Sequence, residues 1–466
     1  MKRIFVFAVA LALLAGAAWA AVVPAAIFTD NAVLQRDVAI PVWGTANDGE
    51  KVTVRFLDQV VTTVAKDGKW MVRLAPIKAG GPFSLTINDI ELKNILIGEV
   101  WICSGQSNMQ WDLARTTNAE ATIAASKNPM IRLFTVGRKT SYTPLIEMAG
   151  QWALCTPETS APFSAVGYFF GRDLQKALGV PVGLINTSWG GTGVETWTSM
   201  EGFKALPEYA DWVADEYKKQ AEGPNHPSVL FNGMVNPFVP YAIKGAIWYQ
   251  GENNAGAAYA YRKLFPNMIK SWRNAFGQGD FPFLFVQLAP YQKIEDQPTQ
   301  SAWAELREAQ LLTLKASPKT AMAVITDVGD PNDIHPRDKE PVGARLALAA
   351  RKLAYGQDIL ASGPIYKGMK RRGSDITLYF DHVGRGLVSK DGELKGFAIA
   401  GEDRNFVWAN AKIVDGNKVV VSAESVKDPV AVRYGWANCP VVNLWNKDGL
   451  PASPFRTDDF PMVTKK

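Results

Sequence analysis

Histidine and cysteine are scarce, three of each in 466 residues. Cys103, Cys155 and Cys439 form an odd, widely separated set without metal-ligand spacing, which excludes a disulfide-stapled scaffold and allows at most one internal bridge. Cys103 lies in an apolar stretch and reads as core. No Cys/His cluster is available to hold a metal, and no cofactor is implied. An excess of one charge is missing too. The 50 basic residues face 45 acidic ones, and without Lys2 and Arg3 the surplus falls to +3, too balanced to suggest a nucleic-acid partner. After residue 20 no segment is apolar enough to span a bilayer. Repeats and low-complexity tethers are absent as well, so the parts of the chain should pack together.

What is present begins with residues 1–20, MKRIFVFAVALALLAGAAWA. Two basic residues, an uncharged apolar run and a close on Ala18-Trp19-Ala20 read as a cleaved export signal, with the mature chain starting near Ala21. The run is too short, and lacks the flanking basic cluster, for an anchoring helix. A secreted or periplasmic protein is expected, with no membrane association in its mature form.

The length predicts two or three domains, and a hydrophobic content of 47% provides for a sizeable core. Over residues 21–97 the pattern is short and alternating, as in Val52, Val54, Phe56 and Trp70, Val72, Leu74, punctuated by the turns Asn47-Asp48-Gly49 and Asp67-Gly68. A small β-sandwich-like domain is predicted there. Over residues 98–365 buried strands alternate with amphipathic helices, the pattern of an α/β domain with a parallel sheet. Candidate strands are Glu99–Cys103, Ile131–Thr135, Val182–Asn186, Gly245–Tyr249, Phe283–Leu288 and Met322–Thr326. Candidate helices are Ser164–Leu178, Ala258–Phe276, Ala302–Lys315 and Lys339–Tyr355, with Pro266 expected to kink or split the second. Over residues 366–466 alternation returns, predicting a second β module.

The stretch GEVWICSGQSNMQW, residues 98–111, runs an apolar strand into a Gly-x-Ser turn. Ser107 there could merely cap a helix. It could also be a nucleophile lifted above a sheet edge. A serine nucleophile needs a base, and among the three histidines His335 stands out in the polar loop DVGDPNDIHPRDK, which also supplies Asp327, Asp330 and Asp333. Two further loops hold candidate oxyanion donors. Backbone N–H groups of Gly190 or Gly191 come from NTSWGGTGVETW, and side-chain amides of Gln250, Asn253 or Asn254 come from QGENNA. Each loop taken singly reads as an ordinary turn. All four, however, follow the carboxyl ends of predicted parallel strands, the edge where open α/β sheets bind ligands. A shared active site explains that coincidence, and Ser107 is predicted to be its nucleophile.

The blocks GEVWICSGQSNM, GYFFGRDL, PVGLINTSWGGTGVETW, FNGMVNPFVPYAIKGAIWYQGENN, GDPNDIHPRDK and NLWNKDGLPASPFRTDDF together resemble the sialate O-acetylesterase family, within the SGNH (GDSL-like) hydrolases. The resemblance covers nearly all of the mature chain. It implies a three-layer α/β/α SGNH-hydrolase-like domain flanked by β modules, with Ser107 as nucleophile, His335 as base and Asp333 as orienting acid. It further implies an oxyanion hole of the Ser107 N–H, the Gly190 or Gly191 N–H and an amide, Gln250 being preferred to Asn253, and substrate contacts from Gln106, Asn108 and Glu252. The superfamily's usual acid position is occupied by Asn332, so the acid is the departure from the pattern. The implied reaction is two-step deacetylation of a small or glycan-linked O-acetylated sugar, without a metal. Deacetylation of another glycan such as xylan is the alternative. A non-catalytic carbohydrate-binding protein would also use the 15 Trp and 13 Tyr, but most large aromatics are core.

Overall fold

The computed structural model describes residues 22–465, so the expected export signal lies outside the described residues. The first of these form two small antiparallel layers. Strands Val23–Pro24, Ile40–Thr45 and Lys69–Leu74 make one, and Lys51–Phe56, Gln59–Val64 and Gly80–Ile87 make the other. The turn at Asp67-Gly68 has φ of 54° and 72° at its two residues, the left-handed pair that a tight hairpin requires.

The second layer continues into β1 (Ile90–Gly105), a strand of 16 residues. Its first half pairs antiparallel with Gly80–Ile87, and its second half becomes the central strand of a larger sheet. That sheet adds β2 (Asn128–Thr135), β3 (Trp152–Cys155), β4 (Val182–Ser188), β5 (Gly245–Tyr249), β6 (Phe283–Val286) and β7 (Thr320–Ala323), in the order β3-β2-β4-β1-β5-β6-β7. All neighbours are parallel except β3, an edge strand that the sequence pattern did not announce.

Helix α1 (Ser107–Gln110) follows β1, and the longer helices are α2 (Ala165–Leu178), α3 (Ala258–Phe276), α4 (Ala302–Ala316) and α5 (Glu340–Leu353). Alternation along β1 divides the core. Val100 and Ile102 join the cluster of Phe265, Trp272 and Leu306 from α3 and α4, while Trp101 and Cys103 join that of Phe169, Leu174 and Leu346 from α2 and α5. Helices therefore cover both faces of a mixed α/β sheet. α3 runs through Pro266 without being split. Proline inside a helix costs about 3 kcal/mol. Burial of Tyr261, Leu264, Phe265, Met268, Ile269 and Trp272, each large side chain contributing roughly 1.5–3 kcal/mol, outweighs it.

The three cysteines are buried free thiols. No helix among the described residues is long and apolar enough to cross a membrane.

Strands from Ile365 onward build a final β module around Ile376, Leu378, Phe397, Val419, Val432 and Phe455. α4 docks it. The Arg307 guanidinium, fully buried, donates to the carbonyls of Leu288 and Ala289 beside the sheet and of Ala437 and Asn438 in the module, all at 2.7–2.9 Å. Glu305 accepts from the backbone of Val463 and Thr464, and Glu308 pairs with Arg456. Replacing Arg307 with Met should strand four buried carbonyls, at about 1–3 kcal/mol for each group left unsatisfied. Expected is a clear drop in the urea midpoint, with faster proteolysis between the sheet domain and the module; an unchanged midpoint would refute the docking role.

Candidate active site

The chain runs from β1 to β2 and β4 on one side of the sheet, then crosses to β5, β6 and β7 on the other. Connections that leave β1 in opposite directions open a crevice at the carboxyl ends of β4, β1 and β5, where open α/β sheets bind ligands. β1 ends there at Gly105, with φ +136°, opposite Ser188 and Tyr249. A Cβ at Gly105 would lie 2.1 Å from the Tyr249 carbonyl oxygen, so only glycine allows this approach. The Gln106 N–H then donates to that same carbonyl, and the next residue starts α1.

Ser107 is the first helical residue and does not cap the helix; that position belongs to Gln106. Its Oγ lies 2.8 Å from His335 Nε2. On the other side of the ring Nδ1 is 3.5 Å from Asp333 Oδ1, and this same oxygen accepts the His335 backbone N–H at 2.8 Å. The short Asp333 side chain thus curls back in an Asx turn that fixes the loop and faces the imidazole with a carboxylate. Asp330 is turned elsewhere, accepting from the Asn332 N–H, and Asp327 is held by Arg345. Trp111 stacks on the His335 ring at 5.0 Å, with the Arg115 guanidinium 3.7 Å over its other neighbourhood. Burial above all holds the His335 pKa below its ordinary value of 6.5; Lys339 and Arg115 push the same way and Asp333 opposes them.

Next to Ser107 lies a polar hub. Asn108 is buried, its Oδ1 accepting from Lys339 Nζ and its Nδ2 donating to Glu252 Oε1 at 2.6 Å and to the Ile334 carbonyl at 3.0 Å. One amide therefore ties the serine turn to the loop after β5 and to the histidine loop. Burial brings the Lys339 ammonium down to about 7, against the pull of Glu252, Asp333 and Asp338, and pushes the Glu252 carboxyl up. Gln106 is buried as well, its Oε1 accepting the Asn253 N–H at 3.3 Å. Of the three residues expected to contact substrate, Asn108 has its amide engaged internally, Gln106 accepts through Oε1, and Glu252 keeps Oε2 without a partner among the described residues.

Two of the expected oxyanion donors hold internal partners. Gln250 is fully buried, its Nε2 donating to the Thr192 carbonyl at 3.1 Å and Asn254 Oδ1 at 2.6 Å while Tyr261 donates to its Oε1 at 2.9 Å. Both amide hydrogens are engaged, and the side chain braces the loops. The Gly190 N–H is likewise engaged, by Gln110 Oε1 at 2.8 Å. What Gly190 contributes is space, since a Cβ there would come within 3.1 Å of Ser107 Cβ. Asn253 is exposed, with its amide in one long contact, 3.4 Å to Asn225 Oδ1, and Gly191 follows with φ +73°.

The expected set did not include Trp111, Arg115, Gln110, Glu195 or Lys339, whereas Asn254 was among its candidate amides. Glu195 accepts from Asn254 Nδ2 at 2.9 and 3.0 Å, and the Val194 N–H donates to Asn254 Oδ1. All but Arg115 lie within the blocks read as sites or directly beside them, yet the partners come from loops far apart in sequence. Only the polar character of these positions could have flagged them.

A hydroxyl already bonded to an imidazole, with a carboxylate beyond it, at the switch point of a parallel sheet is equipment for cleaving an acyl bond. Similarity to known proteins agrees, and the protein is a carboxylic ester hydrolase. Residues 97–351 match the family described as carbohydrate esterase, sialic acid-specific acetylesterase. The sialate O-acetylesterase of Pongo abelii is 31% identical, over 92% of this chain and 91% of that one, and the Homo sapiens enzyme is 30% identical over the same shares. A crystal structure of a carbohydrate acetylesterase from Xanthomonas citri, 40% identical, superposes with a TM-score of 0.87 over 94% of this chain and all of its own. The chain belongs to the sialic acid-specific acetylesterase family of carbohydrate esterases.

A base must be neutral to accept the serine proton, so activity should be lost as pH falls through the His335 pKa, and that acid limb should lie below 6.5. Lys339 is cationic in that range and depresses the imidazole. Lys339→Met should therefore move the acid limb of kcat/KM to higher pH, while Lys339→Arg keeps it nearer the wild-type position. A melting curve on each variant separates this from a loss of folding, and an acid limb unmoved in folded Lys339→Met would rule the coupling out.

Proposed function

We propose that the protein removes O-acetyl groups from sialic acids through an acetyl-serine intermediate on Ser107. The observation that carries this reading is the 2.8 Å contact between Ser107 Oγ and His335 Nε2 at the switch-point crevice. Ser107 Oγ attacks the acetyl carbonyl carbon as its proton passes to His335 Nε2. The tetrahedral intermediate collapses, the bond to the sugar oxygen breaks, and His335 returns the proton to that oxygen. Water, deprotonated by His335, then attacks the acetyl-serine and acetate leaves. Asp333 fixes the tautomer with Nδ1–H facing it and stabilises the imidazolium. The oxyanion donors are the Ser107 N–H, the Gly191 N–H and the Asn253 amide, in place of Gly190 and Gln250. Helices on both faces of the parallel sheet support an SGNH-type three-layer reading of residues 98–365, with β modules at 21–97 and 366–466, and residues 1–20 acting as an export signal.

Two cation–aromatic pairs, Arg115 with Trp111 and Arg138 with Trp189, flank the serine turn and the glycine loop. Exposed guanidinium groups beside ring faces support an acidic sugar as substrate, with its carboxylate met by arginine. A second reading, an acetylesterase of another glycan such as acetylxylan, is favoured by the 40% identity to the Xanthomonas citri carbohydrate acetylesterase.

Ser107→Ala should reduce turnover by about 10⁴-fold or more, and Asp333→Asn by on the order of 10²- to 10⁴-fold. Asn253→Ala should lower kcat by about 10²-fold with KM little changed, whereas Gln250→Ala should act mainly by lowering the melting temperature. The reverse pattern would return the oxyanion role to Gln250. Acetate release from acetylated sialic acids, acetylxylan and an aryl acetate tests the substrate. Preference for the sialic acids by at least tenfold in kcat/KM is expected; equal values would leave a general acetylesterase.

A further inference from the structure

Most of the large aromatic side chains are buried, but Trp408 in the final β module is 44% exposed and still held in one place. Its strand pairs with Phe397–Ala400, and its indole N–H donates to the Asp296 carbonyl at 2.8 Å. A ring fixed by its edge and partly open to solvent is a platform. Two cavities adjoin it and share Gly396 and Trp436. One, of about 250 Å³, is polar, lined by Gln300, Arg404, Asn405 and Arg433; the other, of about 350 Å³, is apolar, lined by Leu394 and Val441.

The polar cavity is prepared for hydroxyl groups more than for a single charge. Arg433 is already neutralised by Asp458, through two contacts of 2.9 Å, and also donates to Gln300. Arg404 is exposed, makes no ion pair among the described residues and is backed by the Phe460 ring at 5.0 Å. Asn405 uses its amide N–H₂ on Asp403 and keeps its carbonyl oxygen for another partner. A flat apolar face beside a guanidinium, two amides and a concavity matches a pyranose, which presents C–H groups on its face and hydroxyls around its rim. A peptide partner would call for an apolar groove without this polar wall.

The platform is also tied to the catalytic edge. Asp296 lies in the segment after β6, whose Pro290 carbonyl accepts the Asp330 N–H from the histidine loop at 3.2 Å. Asp296 stands six positions after Pro290, a span of at most about 20 Å.

We propose that the surface around Trp408, with Arg404 and Asn405, is an accessory glycan-binding site that stacks one sugar of an oligosaccharide and holds the chain near the catalytic edge. The proposal takes its ligand class from the function proposed above, but its test needs no turnover. Calorimetric titration of the Ser107→Ala protein with a sialyl trisaccharide lacking acetyl groups, and separately with xylohexaose, should show saturable binding of at least one. Adding Trp408→Ala or Arg404→Ala should weaken that binding by at least tenfold, with melting curves confirming that each variant folds. An absence of binding to either sugar, or a Kd within twofold of the Ser107→Ala value in both variants, would overturn the site. Failure of the acetylesterase reading would appear separately, in the acetate-release panel.

Discussion

One strand sets the geometry of the whole protein. β1 pairs with the small antiparallel layer over its first half and with β4 and β5 over its second, so a single run of backbone fixes the N-terminal module and the central sheet together. Because β1 carries neighbours connected in opposite directions, its carboxyl end is also where the crevice opens. The close approach at Gly105 follows from this pairing. Ser107 thus directly follows the strand that the rest of the sheet is built around.

Rigidity of the loops requires something else, because loops lack a ladder. Here it comes from amides. Asn108 connects the serine turn to Lys339, Glu252 and the histidine loop, while Asn254 and Gln250 connect the glycine loop to Glu195, Thr192 and Tyr261. A buried amide can accept and donate at once, so it can sit between a buried cation and a buried carboxyl, each of which would be costly alone. Pre-organised loops keep the serine and imidazole in contact before any substrate arrives, which leaves less reorganisation for the reaction. Burial above all lowers the imidazole's proton affinity, and Lys339, which also holds Asn108, pushes the same way.

The final β module is held by the charged face of α4, whose Glu305, Arg307 and Glu308 all reach into it. Through the segment after β6 it touches the histidine loop as well. A module mounted this way moves with the catalytic edge and can present its own surface in a fixed relation to it.

The sequence by itself determined a good deal. Period-two and period-3.6 alternation announced six parallel strands and four helices, because burial on one or both faces writes that period into any chain. It also put forward Ser107, His335 and Asp333, three residues that the fold brings together, because scarcity narrowed the histidines and turn chemistry marked the loops. The β3 edge strand stayed hidden, since Trp152–Cys155 is too short to show a period, and α3 absorbed Pro266 because its apolar face outweighs the lost hydrogen bond. Tertiary structure alone decided which polar residues are left exposed and which face inward. Gln250 and Asn253 stand three residues apart in one loop, yet one is sealed among Thr192, Asn254 and Tyr261 and the other is exposed. Composition and spacing are the same for both fates. What separates them is the set of partners brought in from other loops, and those partners meet only once the strands have assembled in the order that the connections impose.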